Sequence, residues 1–246
     1  MSATLYSISL SHPANAARLM LEHKGIEHRV VNVLPGVHPM LMRARGFRGG
    51  TVPALRIEGR RIQGSREIAH ALEEIAAEPP LFPAEPAARR AVEEAEVWGE
   101  REFQSCPRRL FRWGMVNDRP LRTWLVGEVG GMPLPRVIAE LGRPVSYTLA
   151  RLEGATDTGA RQVLEALPGM LDRVDRLIAD GVIGGPEPNA ADFQILTTVR
   201  TMLTLEDLSA YVGARASAAP ARELWPDPVE PVPAFLPRDW LALLNP

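Results

Sequence analysis

The chain has a single cysteine, Cys106, and a single lysine, Lys24, among its 246 residues. One cysteine excludes an intramolecular disulfide framework and a metal site built from several cysteines. Cys106 lies in the stretch FQSCPRRL with no apparent base beside it, so we expect a packed structural side chain. The five histidines show no paired ligand spacing, and the sequence therefore predicts no bound metal.

Long apolar runs and a strong net charge are also missing. No uninterrupted apolar stretch approaches the roughly 18 residues that a membrane span needs, and the first residues lack a signal-peptide pattern, so we expect a cytoplasmic protein. The formal net charge of -2 gives no electrostatic reason to expect nucleic acid or a membrane surface as a partner. The positive charge is almost all arginine, which is typical of GC-rich coding sequences and indicates a bacterial source.

The first third of the chain alternates between strand-like and helix-like stretches. Gly25 is a natural end for the first predicted helix, and Ser65 is predicted as the N-cap of the last one. The predicted order is β-α-β-(α)-β-β-α. Strands are predicted at 3–10, 27–34, 52–59 and 60–64, helices at 16–25 and 65–78, and a loop with room for a short helix at 36–47.

A proline-rich stretch ends this alternation. PPLFPAEPA, residues 79–87, holds four prolines in nine residues and marks a boundary near residue 80. Beyond it the pattern is helical, and the proline-rich tail with Trp225 and Trp240 is too apolar to be solvated. Amphipathic helices are predicted at 88–103, 122–131, 161–181 and 189–208. We therefore predict one domain at 1–77, a linker at 78–86 and an all-helical domain at 87–246, over which the tail packs.

Pro53 stands at the head of the third predicted strand, in GGTVPAL. Proline has no backbone N–H and costs a hydrogen bond in a central strand, so its presence there needs a specific reason. The element order, this proline and the helical remainder together resemble the glutathione S-transferase superfamily. The resemblance spans the whole chain and implies an α+β protein, with a thioredoxin-like N-terminal domain followed by an all-α helical domain. It also implies a cis Val52–Pro53 bond that presents the Val52 backbone to the cysteinyl part of bound glutathione.

A second matching element is QGSREIAHAL, residues 63–72. In this family a serine at the start of the helix after the fourth strand binds the γ-glutamyl carboxylate, and the resemblance assigns that role to Ser65. The alternative is that Ser65 only caps its helix. Gly64 stands where the family usually has Glu, Asp or Gln for the γ-glutamyl ammonium. Gln63, one place earlier, is a candidate for binding glutathione. Arg66 is a candidate ligand for an anionic group or a solvated surface residue.

A third matching element is the turn after the first strand, SLSHPAN, residues 9–15. Its spacing is similar to that of theta- and zeta-like transferases, whose catalytic serine occupies the position of Ser11. A hydroxyl at a helix N-terminus can donate a hydrogen bond to a thiolate, which lowers the thiol pKa from roughly 8.5 toward neutrality. Asn15 could bond the ligand or satisfy backbone donors. Three neighbours are also candidates for the role of Ser11, namely Ser9, His12 and Tyr6.

Each of these three residues could take the role of Ser11 only under a particular condition. Ser9 would replace Ser11 if the strand register slips. His12 would stabilise a thiolate only when protonated, and is otherwise a neutral surface residue of the turn. Tyr6 is otherwise a core residue of the strand.

A fourth element, PNAADFQI at 188–195, concerns folding only. It resembles a capping box of the family's helical domain, here with Asn189 in place of the usual hydroxyl residue and with Asp192 three places on. This element says nothing about the substrate.

Together these elements predict an enzyme that conjugates the glutathione thiolate to a small apolar electrophile, with glutathione as co-substrate. Family members are generally dimers, so the resemblance also implies a homodimer. Two further interpretations stay open: a non-catalytic ligand-binding protein of the same fold, and a transferase that uses another low-molecular-weight thiol.

The electrophile pocket is predicted in CPRRLFRWGM, residues 106–115, with interior core as the alternative for this segment. The apolar candidates for its wall are Leu110, Phe111, Trp113 and Met115. The arginines of the same segment either attract an acidic substrate or lie on a solvated helix face; they are Arg108, Arg109 and Arg112.

Overall fold

Four short strands form one mixed sheet in the computed structural model, which describes residues 3–227 and 230–244. The elements of this first part are β1 (Ala3–Ser7), α1 (His12–His23), β2 (His28–Asn32), α2 (His38–Ala44), β3 (Ala54–Ile57), β4 (Arg60–Gln63) and α3 (Ser65–Ile75). The strand order is β2-β1-β3-β4, in which β1 is parallel to β2 and antiparallel to β3, and β3 is antiparallel to β4. This is the thioredoxin-like arrangement that the sequence predicts.

The sheet packs one face against α1 and α3. Leu5 and Leu55 are paired across β1 and β3 and are fully buried, as is Leu72 of α3. The first strand is shorter than predicted: it ends at Ser7, and Ser9 lies in a turn. α1 in turn begins four residues earlier than predicted, because proline is compatible with the first turn of a helix, where its missing N–H would have no partner.

The rest of the chain is helical. Its elements are α4 (Pro86–Trp98), a π-helical turn (Gly99–Phe103), α5 (Ser105–Asn117), α6 (Arg119–Trp124), a second π-helical turn (Leu125–Val129), α7 (Pro135–Leu152), α8 (Asp157–Ala179), α9 (Ala190–Met202), α10 (Glu206–Gly213), α11 (Ala218–Leu224) and a 3-10 segment (Arg238–Leu244). Within the described ranges, no helix combines the length and the apolar character that crossing a membrane requires.

The central helix of this part is α9, which is buried along nearly its whole length. It contacts α1, α4 and α11, so it joins the sheet side of the molecule to the helical side. The predicted capping box at its start is confirmed: the Asn189 side chain accepts from the Asp192 N–H, and the Asp192 side chain accepts from the Asn189 N–H.

The tail folds back on the helices. Val232 forms a β-bridge with Leu205, and the Trp240 ring lies 4.8 Å from that of Trp113. Trp225 and Trp240 are both buried. The parts of the predicted tail at 228–229 and 245–246, and the first two residues of the predicted first domain, lie outside the described residues.

The single lysine and the single cysteine are both buried. Lys24 Nζ donates 2.6 Å hydrogen bonds to Oε2 of Glu73 and to the carbonyl of Ala76, which ties the end of α1 to the end of α3. Cys106 has no exposed surface, and burial raises the pKa of its thiol to about 12. Cys106 is therefore a packed and unreactive side chain.

Candidate functional site

The turn between β1 and α1 holds Ser11 at the N-cap of the helix. Its backbone N–H donates to Ile8 and its carbonyl accepts from the backbone and side chain of Asn15. The Ser11 hydroxyl is half-buried and makes no hydrogen bond to any described residue. A free hydroxyl therefore lies at the N-terminal end of α1, where unpaired helix N–H groups favour negative charge.

His12 follows directly but is buried, so the predicted surface position is wrong. Its Nδ1 lies 3.1 Å from Oγ1 of Thr198. Because that hydroxyl donates to the carbonyl of Gln194, its oxygen accepts from His12. Burial, helped by the positive charge of Arg108, lowers the pKa of His12 to about 3. A neutral His12 cannot stabilise a thiolate by charge.

Tyr6 and Ser9, which are also candidates for the role of Ser11, have different surroundings. The Tyr6 ring is buried edge-on to Phe47 at 5.6 Å, and its hydroxyl accepts from Arg45. Tyr6 is thus held by packing and an arginine. Ser9 is exposed in the turn, outside the strand, so a slip of strand register does not exchange it with Ser11.

The loop before β3 contains a cis Val52–Pro53 bond. The Pro53 carbonyl accepts a 3.0 Å hydrogen bond from the N–H of Gly64, so this loop adjoins the start of α3. The Gln63 side chain supports the same loop: its Oε1 accepts from the Gly49 N–H, and its Nε2 donates to the Thr51 carbonyl. Both ends of the Gln63 amide are therefore engaged within the protein.

Ser65 begins α3, but the predicted N-cap assignment is wrong. Gly64 is the N-cap, with φ of 94°, a conformation that glycine adopts without steric cost. The Ser65 side chain is buried and its hydroxyl donates to Oε1 of Gln194 at 3.2 Å. The same oxygen accepts from Gln104 at 3.0 Å. Ser65 is thus linked to a buried amide pair from α9 and the start of α5.

The pair continues into a carboxyl group that the sequence did not reveal. Gln194 Nε2 donates to Oε1 of Glu96 at 2.7 Å. Oε2 of Glu96 lies 3.1 Å from Nε2 of His70 and 3.5 Å from Nε of Arg66. The Glu96 side chain is fully buried, and burial raises the pKa of its carboxyl to about 8 against the opposing effect of Arg66. Arg66 is therefore engaged with Glu96 and is not a freely solvated residue.

Two more carboxylates converge on Gly64. A Cβ at this position would lie 2.5 Å from Oε2 of Glu67 and 3.8 Å from Oε1 of Glu100. Neither carboxylate forms an ion pair with a described residue. Burial and the neighbouring Glu67 raise the pKa of Glu100. The carboxylate of Glu67 thus occupies the space that a side chain at position 64 would need, and that of Glu100 adjoins it.

The predicted pocket wall divides between two faces of α5. Leu110 and Trp113 belong to the core, and Trp113 Nε1 donates to Asp157 at 2.8 Å. Asp157 begins α8, which packs on α5, so Trp113 lies between these two helices. Phe111 and Met115 lie on another face and are half-buried. Interior core is therefore the correct description of Leu110 and Trp113, and only Phe111 and Met115 keep partial exposure.

Two shallow clefts lie near these residues. One of about 400 Å³ adjoins the β1–α1 turn, and one of about 360 Å³ lies over α3 and β4. The first is lined by Ser9, Leu10, Asn15, Arg18, Glu128, Val129, Trp225, Asp227 and Glu230. The second is lined by Arg60, Ile62, Arg66, Glu67, His70, Ala71 and Glu74. None of the four predicted wall residues lines either cleft.

The sequence and structure are similar to known glutathione S-transferases. Residues 5–80 match the family model of the glutathione S-transferase N-terminal domain. A glutathione S-transferase from Rhodospirillum rubrum superposes with a TM-score of 0.57 at 20% identity, covering 98% of this chain and 99% of that one. The beta-etherase LigF from Sphingobium sp. gives 0.61 at 17% identity, with 91% and 99% covered.

A further solved structure contains a ligand. A glutathione S-transferase from Methylobacterium radiotolerans, in complex with glutathione sulfonate, gives a TM-score of 0.51 at 19% identity, with 96% and 97% covered. No curated protein matches the sequence. The chain has the glutathione S-transferase fold over its whole length. Its residues 5–80 are similar to the N-terminal domain of that family.

Proposed function

We propose that the protein is a thiol transferase of the glutathione S-transferase type. Glutathione, or another low-molecular-weight thiol, binds along residues 1–77, and a small electrophile binds between this unit and residues 87–246, with 78–86 as linker. The observation that carries the proposal is the free hydroxyl of Ser11 at the start of α1. The theta- or zeta-like serine chemistry and a homodimer belong to the same proposal.

Ser11 acts on the thiol of the co-substrate. Its hydroxyl donates a hydrogen bond to the sulfur, and the N-terminal end of α1 adds a favourable electrostatic field. Both favour the thiolate over the thiol and lower the thiol pKa. The thiolate then attacks the electrophile, forming the carbon–sulfur bond while the electrophile's leaving group departs or its double bond takes up the electrons. Neutral His12 and the engaged Tyr6 leave this role to Ser11.

The γ-glutamyl end of glutathione binds at the start of α3. The first N–H groups of α3 receive the γ-glutamyl carboxylate, because they have no partner within the helix. The γ-glutamyl ammonium lies between Glu67 and Glu100, whose carboxylates take the place of the acidic residue that position 64 lacks. A bound cation removes the repulsion between these two acids, which favours binding there. The Val52 backbone pairs with the cysteinyl part.

A second candidate function is a non-catalytic ligand-binding protein. It is favoured by the Ser65 hydroxyl, which is buried and bonded to Gln194 instead of being free for a carboxylate. Because the amide of Gln63 is also engaged, two of the side chains expected to hold glutathione are occupied within the protein.

Calorimetric titration with reduced glutathione separates the two candidates when it is combined with thiolate absorbance of the bound thiol. We expect micromolar to millimolar binding by the wild type and by Ser11→Ala, with the thiolate signal near neutral pH lost only in Ser11→Ala. Ser9→Ala is the matched control, because Ser9 is exposed in the same turn. Ser65→Ala reports whether the buried hydroxyl contributes to binding.

The outcomes distinguish the functions clearly. Binding without a Ser11-dependent thiolate signal supports the ligand-binding protein. No heat with glutathione at millimolar concentration and several temperatures rejects glutathione as the thiol, and further cellular thiols are then titrated in the same way.

A further inference from the structure

One face of α5 is directed toward α9, the helix that packs on α1. Gln104, Arg108, Phe111 and Met115 recur at a spacing of three or four residues, so they share this face. Its direction is fixed by Gln104, whose amide donates to Gln194 of α9 at 3.0 Å. The three residues after Gln104 on this face are exposed or half-buried, in contrast to Leu110 and Trp113.

The hydrogen-bond partner of His12 lies on α9, one helical turn from Gln194. This partner, Thr198, is four residues after Gln194, as Arg108 is four residues after Gln104. Thr198 on α9 and Arg108 on α5 thus each lie one helical turn C-terminal to a member of the Gln104–Gln194 pair. The positive charge of Arg108 lowers the pKa of His12, which agrees with this placement. His12 directly follows Ser11, so this charge effect indicates that the guanidinium lies on the side of the molecule where α1 begins.

Arg108 differs from its neighbouring arginines in having no partner. Arg109 donates to the Glu153 carbonyl at 3.2 Å, and Arg112 lies 3.5 Å from Oε1 of Glu153. Among the described residues, Arg108 forms no hydrogen bond and no ion pair, and it is exposed to solvent. Partial desolvation by the surrounding protein and the charge of Arg112 nevertheless lower the pKa of its guanidinium, against the opposing effect of Glu153 and Glu100.

We propose that Arg108 determines substrate specificity by binding the carboxylate or sulfonate of an anionic electrophile, whose apolar body rests on Phe111 and Met115. A guanidinium offers up to two parallel donors to such a group, and the half-buried apolar side chains beside it exclude water. As a statement about substrate, the inference rests on the proposed transferase function. The proposed role of Arg108 restricts the electrophile to compounds that carry a negative charge as well as an apolar body.

A matched pair of fluorescent probes tests the site without a known substrate. The anionic probe is 8-anilinonaphthalene-1-sulfonate, and the neutral probe is N-phenyl-1-naphthylamine, which has the same rings without the sulfonate. Both are titrated into the wild type, Arg108→Gln, Arg108→Lys and the control Arg90→Gln. Arg90 is an exposed arginine of α4 that makes no bond to a described residue, so its variant repeats the change in net charge. Circular dichroism verifies that each variant is folded.

We expect the wild type to bind the sulfonate probe at least about ten-fold more tightly than the neutral probe, since a charge-assisted hydrogen bond has about that effect. Arg108→Gln removes this preference, Arg108→Lys retains part of it, and Arg90→Gln retains all of it. Displacement of the sulfonate by S-hexylglutathione locates the probe in the thiol cleft. Equal affinity for both probes in the wild type, or an unchanged preference in Arg108→Gln, overturns the inference.

Titration of the same proteins with glutathione distinguishes failure of the Arg108 proposal from failure of the transferase proposal. If the wild type binds glutathione but Arg108→Gln leaves the probe preference intact, the inference fails and the transferase proposal stands. If the preference depends on Arg108 but glutathione does not bind, the anion site is real and glutathione is rejected as the thiol.

Discussion

Gln194 of α9 donates a 2.7 Å hydrogen bond to Glu96 of α4, and this contact joins two helices that are 98 residues apart in the chain. The carboxyl that receives it has no exposed surface. Because the same glutamine accepts from Ser65 at the start of α3, the contact also connects the helical part to the sheet. One buried polar network thus links the two parts in addition to the packing of α1 on α9.

Replacing Glu96 by glutamine should reduce the loss of stability with rising pH. The pKa of Glu96 is about 8 in the folded protein and near 4.5 in the unfolded chain. Between these values the unfolded chain loses a proton that the folded protein keeps, so the free energy of unfolding falls as pH rises. The fall is on the order of 5 kcal/mol at most, since each unit of pKa difference corresponds to about 1.4 kcal/mol.

The measurement is urea unfolding at pH 5 and pH 8, a range that covers most of the interval between the two pKa values of Glu96. We expect the difference between the two pH values to be smaller in Glu96→Gln than in the wild type. Glu94→Gln, which removes an exposed carboxylate of the same helix, should behave as the wild type does. An identical pH dependence in all three proteins would show that Glu96 is ionised in the folded state.

Removing the Asp192 side chain should destabilise the helical part. Its Oδ1 accepts from the Gly184 N–H at 2.6 Å and its Oδ2 from the Asn189 N–H at 2.9 Å. Asp192→Ala leaves both donors without a partner and should lower the free energy of unfolding by about 2 kcal/mol or more. Asp192→Asn keeps one acceptor oxygen and should cost less. Urea unfolding at neutral pH compares them, and equal stability of Asp192→Ala and wild type would contradict the role of the capping box.

A comparison of Gly64→Ala with Gly25→Ala separates the effect of backbone strain on stability from the effect of a Cβ on glutathione binding. Gly64 and Gly25 have φ of 94° and 63°, so alanine should cost each about 1 kcal/mol or more of stability. A Cβ at Gly25 meets no described atom, whereas a Cβ at Gly64 displaces the carboxylate of Glu67. We therefore expect only Gly64→Ala to weaken glutathione binding in calorimetry. Equal affinity of the two variants for glutathione would contradict the proposed contact between Glu67 and the γ-glutamyl ammonium.

The order of elements in the first part was predictable because its signals are local. Turn residues separate short apolar stretches there, and Pro13 and Gly25 mark the ends of α1. The end of β1 was not predicted well, since residues 8–10 have strand-like composition but lie outside the strand. α7 was not predicted at all. Gly142 and Pro144 interrupt its pattern, and a helix with proline in its interior is normally disfavoured.

The position of Ser11 could be predicted from the turn, but the partner of Ser65 could not. The bond from Ser65 to Gln194 spans 129 residues and leaves no local trace. The available signal was a polar side chain in an apolar setting: Gln194 lies between Phe193 and Ile195 in a buried helix. Such a residue must find a hydrogen-bond partner, although the sequence does not say which one.

The burial of Lys24 and Cys106 has a practical consequence for covalent labelling. The one ε-amine is enclosed by Glu73 and a carbonyl, and the one thiol has a pKa of about 12, so neither reacts readily with amine- or thiol-directed dyes. A cysteine introduced at an exposed position therefore becomes the single reactive side chain of its kind. A pair of such cysteines, one on α2 and one on α7, would report distances across the molecule by fluorescence energy transfer without removal of any native residue.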